Sequence, residues 1–263
     1  MSVRYALITG ASGGIGKEFA FLAAADGMNL ILLARNAEKL IQLRKTLENL
    51  YPIKVLAVGC DLSDSDMVDK ITTLLQKRGI VPDVLINNAG FGLYGAFDLT
   101  NPETEKDMIQ VNIITLTGLT KRIYKQMLEK GRGRIMNVAS VAGFTAGPLM
   151  SVYYATKAYV LSFSEALAYE AKGRGVSVTV LCPGPTKTNF ENNASAQGSK
   201  LFKNWRKLTT GEQVAKYGWR CMMKGKTTVV HGWKNRVMMF FVRLFPRKVV
   251  VGMVHTIQKP VKS

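Results

Sequence analysis

Apolar residues in this chain come in short runs separated by segments of helical periodicity. The runs Arg4–Thr9, Met28–Ala34, Lys54–Gly59, Asp83–Ile86, Gly133–Ala139 and Val176–Leu181 predict strands buried on both faces. Helical patterns lie between them: one reaching about Asp26, one N-capped by Ser63, a long one over Glu103–Lys130, and one from Ser151 to Lys172 that Gly173 and Gly175 stop. Val229–Val230 starts a last strand. Strands alternating with helices predict an α/β fold with a doubly wound parallel sheet. There are no internal repeats or low-complexity linkers, so one domain (1–230) is expected, followed by a C-terminal helical extension (231–263).

The first strand runs into Thr9-Gly10-Ala11-Ser12-Gly13-Gly14-Ile15-Gly16. A glycine loop at a strand–helix junction lets backbone N–H groups approach a pyrophosphate at the positive end of the helix, which makes the sheet Rossmann-type. Gly10 permits the tight turn, Gly14 the close approach, and Gly16 the packing of helix on strand. The second strand ends in Ala34-Arg35-Asn36, where an acid would take a ribose 2′-OH and a base a 2′-phosphate. Arg35 therefore argues for NADP.

A helix from Ser151 puts Tyr153 and Lys157 one turn apart on one face. A phenol ordinarily titrates near ~10, and an ammonium about 5–6 Å away lowers that value. The pair is then a candidate general acid–base. Tyr154 is a rival, but it stands only three residues before Lys157. Ser140, at the end of the Gly133–Ala139 strand, could bond a carbonyl oxygen from the side opposite the phenol.

These motifs, in order, resemble the single-domain short-chain dehydrogenase/reductase family across about residues 3–190. The conjunction is Thr9-Gly10-x-x-x-Gly14-x-Gly16, Asp61-Leu62, Asn87-Asn88-Ala89-Gly90, Asn112, Ser140, Tyr153-x-x-x-Lys157 and Pro183-Gly184. The resemblance implies that Tyr153 protonates a nascent alkoxide. Lys157 would hold the nicotinamide ribose and lower the Tyr153 pKa, Ser140 would orient the carbonyl, and Asn112 would hold a water linking Lys157 to solvent. In the implied NADP(H) site, Arg35 takes the 2′-phosphate with Ser12 as helper, and Ile15 follows the glycine turn. Asp61 and Leu62 line the adenine, Asn88, Ala89 and Gly90 border its ribose, and Pro183, Gly184, Thr186 and Thr188 close over the nicotinamide. The polar stretch 186–212 would cover the site. Pro185 departs from the family pattern and stiffens the turn after Pro183-Gly184.

The start of the chain and the stretches Phe91–Gly95 and Pro148–Tyr154 resemble the branch holding 3-oxoacyl and hydroxysteroid-type reductases. Phe91, Leu93, Tyr94, Phe97, Phe144, Leu149 and Met150 are candidates for a pocket taking a hydrophobic carbonyl compound. Half of them are expected to be plain core. The resemblance also implies a homodimer or tetramer formed through the helices at 103–130 and 151–172. A non-catalytic NADP-binding regulator is the alternative reading.

Composition adds a charge asymmetry. The net charge is +18, and residues 199–263 hold fifteen Lys and Arg against the single acid Glu212, leaving +4 for the first 198. Such a positive charge admits nucleic acid as a partner, yet no recognition fold or stacking platform is visible, so none is expected. The apolar runs Val237–Phe245 and Val249–Val254 instead suit an anionic membrane surface, the subunit's own core or an oligomer interface. Cys60, Cys182 and Cys221 have no metal-type spacing and read as reduced thiols of a cytoplasmic protein, peripheral to a membrane if the tail meets lipid. His231 and His255 lie far from the other candidates in sequence, so no metal is called for. The N-terminus runs straight into the glycine loop and reads as mature structure.

Overall fold

The computed structural model describes residues 3–188, 190 and 208–259. In chain order the main elements are β1 (Tyr5–Thr9), α1 (Gly14–Ala25), β2 (Asn29–Ala34), α2 (Ala37–Leu50), β3 (Val55–Gly59), α3 (Met67–Lys77), β4 (Val84–Asn87), α4 (Pro102–Ile109), α5 (Leu116–Glu129), β5 (Gly133–Val138), α6 (Ser151–Glu170) and β6 (Val176–Cys182). Two-residue strands β7 (Thr186–Lys187) and β8 (Thr209–Thr210) pair in parallel. They are followed by α7 (Gly211–Met223), β9 (Thr228–Val230), α8 (Trp233–Val242) and α9 (Arg247–Gln258). The main sheet is parallel throughout, in the order β3-β2-β1-β4-β5-β6-β9. The chain reverses its direction of winding between β1 and β4, which opens a crevice at the carboxyl ends of the strands.

Alternate residues of each strand enter opposite cores. Ala6, Ile8, Leu30, Leu32 and Ile86 join Phe19 of α1, Leu40 of α2 and Trp219 of α7. Leu7, Ile31, Leu33, Leu85 and Ile135 join Ile71 of α3 and Ile123 of α5. Both faces being covered explains why the strands read as continuous apolar runs. Trp219 also donates its indole N–H to Asp26 at 3.0 Å, tying α7 to the end of α1.

Two sequence expectations change. Ser63 does not cap α3; both its N–H and its hydroxyl bond the Asp61 carboxylate, and the helix starts four residues later at Met67. The single helix expected over 103–130 is interrupted by one π turn at Gln110–Thr115, so α4 and α5 are separate α segments. That widened turn carries Asn112, a common use of such bulges. The polar stretch 186–212 falls largely outside the described residues.

Between β4 and β5 the sheet carries a buried polar chain. Asn87 donates to Thr120 of α5 at 2.8 Å and to Asn137 of β5 at 2.9 Å. Asn137 in turn donates to Ser164 of α6 at 2.9 Å, and Ser164 bonds the Val160 carbonyl. Two strands are thereby pinned to α5 and to α6, the helix that bears Tyr153 and Lys157, and every link is away from water, where a lost partner is expensive. Asn137→Leu should lower the unfolding free energy by about 2–4 kcal/mol in urea titration. A loss under about 0.5 kcal/mol would mean that the chain of bonds adds no net stability.

Candidate active site

The carboxyl edge of the sheet is closed by bonds between the glycine loop and the end of β4. The Thr9 hydroxyl accepts the N–H groups of Asn88 and Ala89 at 3.0 and 2.9 Å. The Asn88 amide returns two bonds, to the carbonyls of Thr9 and Gly10. Gly16 sits against this knot: a Cβ there would stand 2.3 Å from the Gly10 carbonyl oxygen, so only glycine lets α1 approach. Gly14 has φ +52, which opens the loop beneath the first turn of α1. No side chain caps that turn, and nothing lies within 4 Å of where a Gly13 side chain would begin. Open space over uncapped helix N–H groups fits a dinucleotide pyrophosphate.

From this loop a cavity of about 580 Å³ runs along the crevice. Its outer end is polar, with Ser12, Arg35, Asn36, Lys39, Asp61 and Ser63. Its inner end holds Ser140, Tyr153 and Lys157. Arg35 follows the last residue of β2, and Asn36 caps α2 by accepting the Lys39 N–H at 2.8 Å. The cap fixes the turn, so Lys39 lies at the same end as Arg35.

Ser140 follows β5 in extended conformation and heads a short 3-10 turn, Val141–Phe144, whose Ala142 N–H bonds its hydroxyl. Tyr153 and Lys157 come from the first turns of α6, both buried. The Lys157 ammonium donates to the Val138 carbonyl at 3.0 Å and lies 5.8 Å from the centre of the Tyr153 ring. Burial penalises its charge and draws its pKa down to about 8. Burial likewise pushes the Tyr153 pKa well above the ordinary tyrosine value, while a hydrogen bond with Ser140 works the other way. The lowering expected from Lys157 is absent, because desolvation outweighs an ammonium already bonded to a backbone carbonyl. The phenol is therefore protonated at neutral pH.

Every predicted cofactor residue lines the cavity except Gly16, whose part is to seat α1. Asn88 lines it too, yet its side chain is committed to the loop. Asn112 stands behind the wall, fully buried. Its amide exchanges bonds with both backbone groups of Phe91 and donates to Thr156 at 3.0 Å. It holds the β4–α4 connection against α6. A Cβ on Gly90 would meet its oxygen at 2.8 Å. Among the hydrophobic candidates, Phe91 and Met150 line the cavity. Leu93, Tyr94 and Phe144 pack in neighbouring clusters. Leu149 takes a left-handed conformation (φ +68) and bonds the Gly95 N–H through its carbonyl. Phe97 is on the surface.

Sequence reasoning missed the wall supplied by the C-terminal helices: Met238, Met239, Val242, Val254, Ile257 and Gln258 all line the cavity. Gln258 is fully buried and donates to the Tyr154 hydroxyl, while its own carbonyl accepts from the Tyr94 hydroxyl at 2.7 Å. Tyr154, the rival to Tyr153, is thus an anchor for α9. The available signal was a lone glutamine four and eight residues after Val254 and Val250, completing one buried helical row. Lys39 had a weaker signal, a second base one turn after Arg35.

The sequence profile of the family described as short chain dehydrogenase matches residues 4–199. A very-long-chain 3-oxoacyl-CoA reductase of Danio rerio is 33% identical over 217 residues, covering 81% of this chain and 67% of its own length. A 17-beta-hydroxysteroid dehydrogenase type 3 of Rattus norvegicus is 34% identical over 187 residues, 70% of this chain and 60% of that one. The chain thus spans about 60% to two thirds of the length of these relatives. Among solved structures, a short-chain dehydrogenase from Sphingobium yanoikuyae in complex with NADPH superposes with a TM-score of 0.82 at 26% identity, over 98% of both chains. With the parallel sheet, the glycine loop and the Ser140–Tyr153–Lys157 group in place, the match over most of its length makes the chain a member of the short-chain dehydrogenase family, an oxidoreductase.

Proposed function

We propose that the protein is an NADPH-dependent reductase that converts a ketone of a hydrophobic, acyl-type or other lipid-like substrate into an alcohol. The observation that carries this reading is one cavity with two unlike ends. Arg35 and Lys39 stand at its polar end, and the buried Ser140–Tyr153–Lys157 group faces an apolar wall of Met150, Met239, Val242 and Val254 at the other. Two cations beside a capped turn suit a 2′-phosphate better than a bare ribose hydroxyl. NADPH, when bound, supplies the hydride.

The chain's own residues handle orientation and the proton. Ser140 bonds the carbonyl oxygen, and the Tyr153 hydroxyl delivers its proton to that oxygen as negative charge develops there. Ser140 and the Lys157 ammonium then stabilise the phenolate, an effect strengthened by the dry surroundings. The apolar wall and the relatives named above support an acyl or steroid-sized ketone over a small polar one. Exposed Ile114 on the π turn and Tyr159 on α6 support pairing of copies through these helices, and three unpaired cysteines suit a reducing, cytoplasmic setting.

A panel of 3-oxoacyl thioesters and bulky ketones, followed through NADPH oxidation, tests the reading. No turnover with any of them, alongside tight NADPH binding, would favour a regulatory binding protein. NADPH should bind at least ~10-fold more tightly than NADH, and Arg35→Asp should reverse or abolish that preference in a fluorescence titration. Equal affinity of the native protein for both would refute it.

Tyr153→Phe should reduce kcat by roughly 100-fold or more while leaving NADPH affinity within about twofold, since only the proton donor goes. Tyr154→Phe should keep most of kcat on a small ketone and lower the thermal midpoint through the lost Gln258 bond. The opposite pattern would exchange their roles.

Lys157 has a pH signature that needs no turnover. Its folded pKa of about 8 lies below the ordinary lysine value of 10.5. Between these values the unfolded chain binds more protons than the folded one, so this group makes stability rise with pH across that window. Below the window its charging penalty is fully present. Lys157→Met should remove the rise, and unfolding curves between pH 7 and pH 10.5 that stay parallel for both proteins would contradict it.

A further inference from the structure

The two C-terminal helices each show an inner and an outer row. In α9 the inner row is Val250–Val254–Gln258: Val250 is buried, Val254 and Gln258 line the pocket, and Gln258 is anchored to Tyr154 and Tyr94. The next row, Val249–Met253–Ile257, is about half exposed. In α8, Met239 is buried and Asn235 turns inward to bond the His231 carbonyl, pressed against Gly184. The outward row is Trp233, Val237, Phe240, Phe241 and, just past the helix end, Leu244, all between 47% and 67% exposed. Phe245 in the turn between the helices adds to it. The spacing i, i+4, i+7, i+8 confirms one stripe rather than scattered residues.

Charge flanks this stripe. On a helical wheel Lys234 falls on one side of it and Arg236 and Arg243 on the other. Arg247, Lys248 and Lys259 frame α9. Residues 233–259 contain these six cations and no Asp or Glu. None of the six enters an ion pair among the described residues, and Glu212, the single acid of 199–263, is paired with Lys216. A second copy docked on this face would bring like charges together with nothing to neutralise them. Anionic lipid headgroups supply the missing sign, and their acyl region takes the aromatic stripe. The helices are ten and twelve residues long, too short to span a bilayer but suited to lying in its surface.

We propose that α8 and α9 form an interfacial arm that seats the protein on anionic lipid bilayers with the pocket mouth turned toward the lipid. Met238 and Ile257 join the two functions, since each lines the cavity and is nearly half exposed on the arm. An apolar molecule could pass from the acyl region to the cavity along them without entering water. That passage rests on the reductase reading above; the docking itself does not.

The test is cosedimentation of the full chain with vesicles of phosphatidylglycerol and phosphatidylcholine, and with phosphatidylcholine alone. Binding is expected with the anionic mixture, weakening as salt rises, with Lys234→Ala and Lys248→Ala each costing about fivefold in partitioning at low salt. Phe240→Glu/Phe241→Glu should abolish it while keeping NADPH affinity and reduction of a small soluble ketone; neither residue touches the cavity. If that double variant misfolds, Trp233→Glu replaces it and should weaken binding at least tenfold. A native protein left in the supernatant at low salt, or one that binds neutral vesicles equally well, overturns the proposal. So does a native dimer that Phe240→Glu dissociates, or retention on duplex DNA without vesicle binding. Absence of turnover on the carbonyl panel would sink the reductase reading alone, because vesicle binding is read without it.

Discussion

The molecule depends on the seam between β1 and β4. A doubly wound sheet must reverse direction somewhere, and the reversal leaves two strand ends diverging with no covering helix between them. Thr9 and Asn88 hold those ends together with four short bonds, and Gly16 lets α1 descend onto the joint. Because the bonds are made by side chains to backbone, they leave the N–H groups of the first α1 turn free to meet a ligand. The same crevice that topology makes unavoidable is thereby given a fixed shape.

Around that crevice the dominant electrostatic effect is desolvation. Tyr153 and Lys157 are both driven toward their neutral forms, the phenol up and the ammonium down. The Val138 carbonyl accepts a hydrogen bond from the ammonium, and Ser140 works against the rise of the phenol's pKa. Asn112 serves the arrangement at one remove, fixing Phe91 and Thr156 from inside a π turn. The Asn87–Asn137–Ser164 chain adds a second tie, between the sheet and the helices α5 and α6. A reaction that develops charge on a carbonyl oxygen benefits from such a dry, prearranged setting.

The far side of the cavity has a different logic. Its wall comes from helices that follow the last sheet strand, fastened by Gln258 to the residue next to Tyr153. The apolar end of the cavity is therefore walled by the part of the chain least like a nucleotide-binding sheet, which is how one scaffold can carry sites of different shape.

The alternation of apolar runs, the glycine loop and the Tyr153–Lys157 spacing determined the sheet, its winding and which residues gather at one edge, because each is a local pattern with a local physical cause. Arg35 was legible for the same reason, by its position after β2. Local pattern could not show that Asn112 interrupts a helix, since a π turn has no spacing of its own in the sequence. Nor could it show that Ser63 folds back on Asp61 instead of starting α3. The tail gave two apolar runs and a charge excess, which fit a core, an interface or a membrane equally. Which rows face the pocket and which face out was decided only when Gln258 met Tyr154, a residue 104 positions away. Contacts of that separation depend on how the whole sheet brings α6 and α9 together, and no window of sequence contains them.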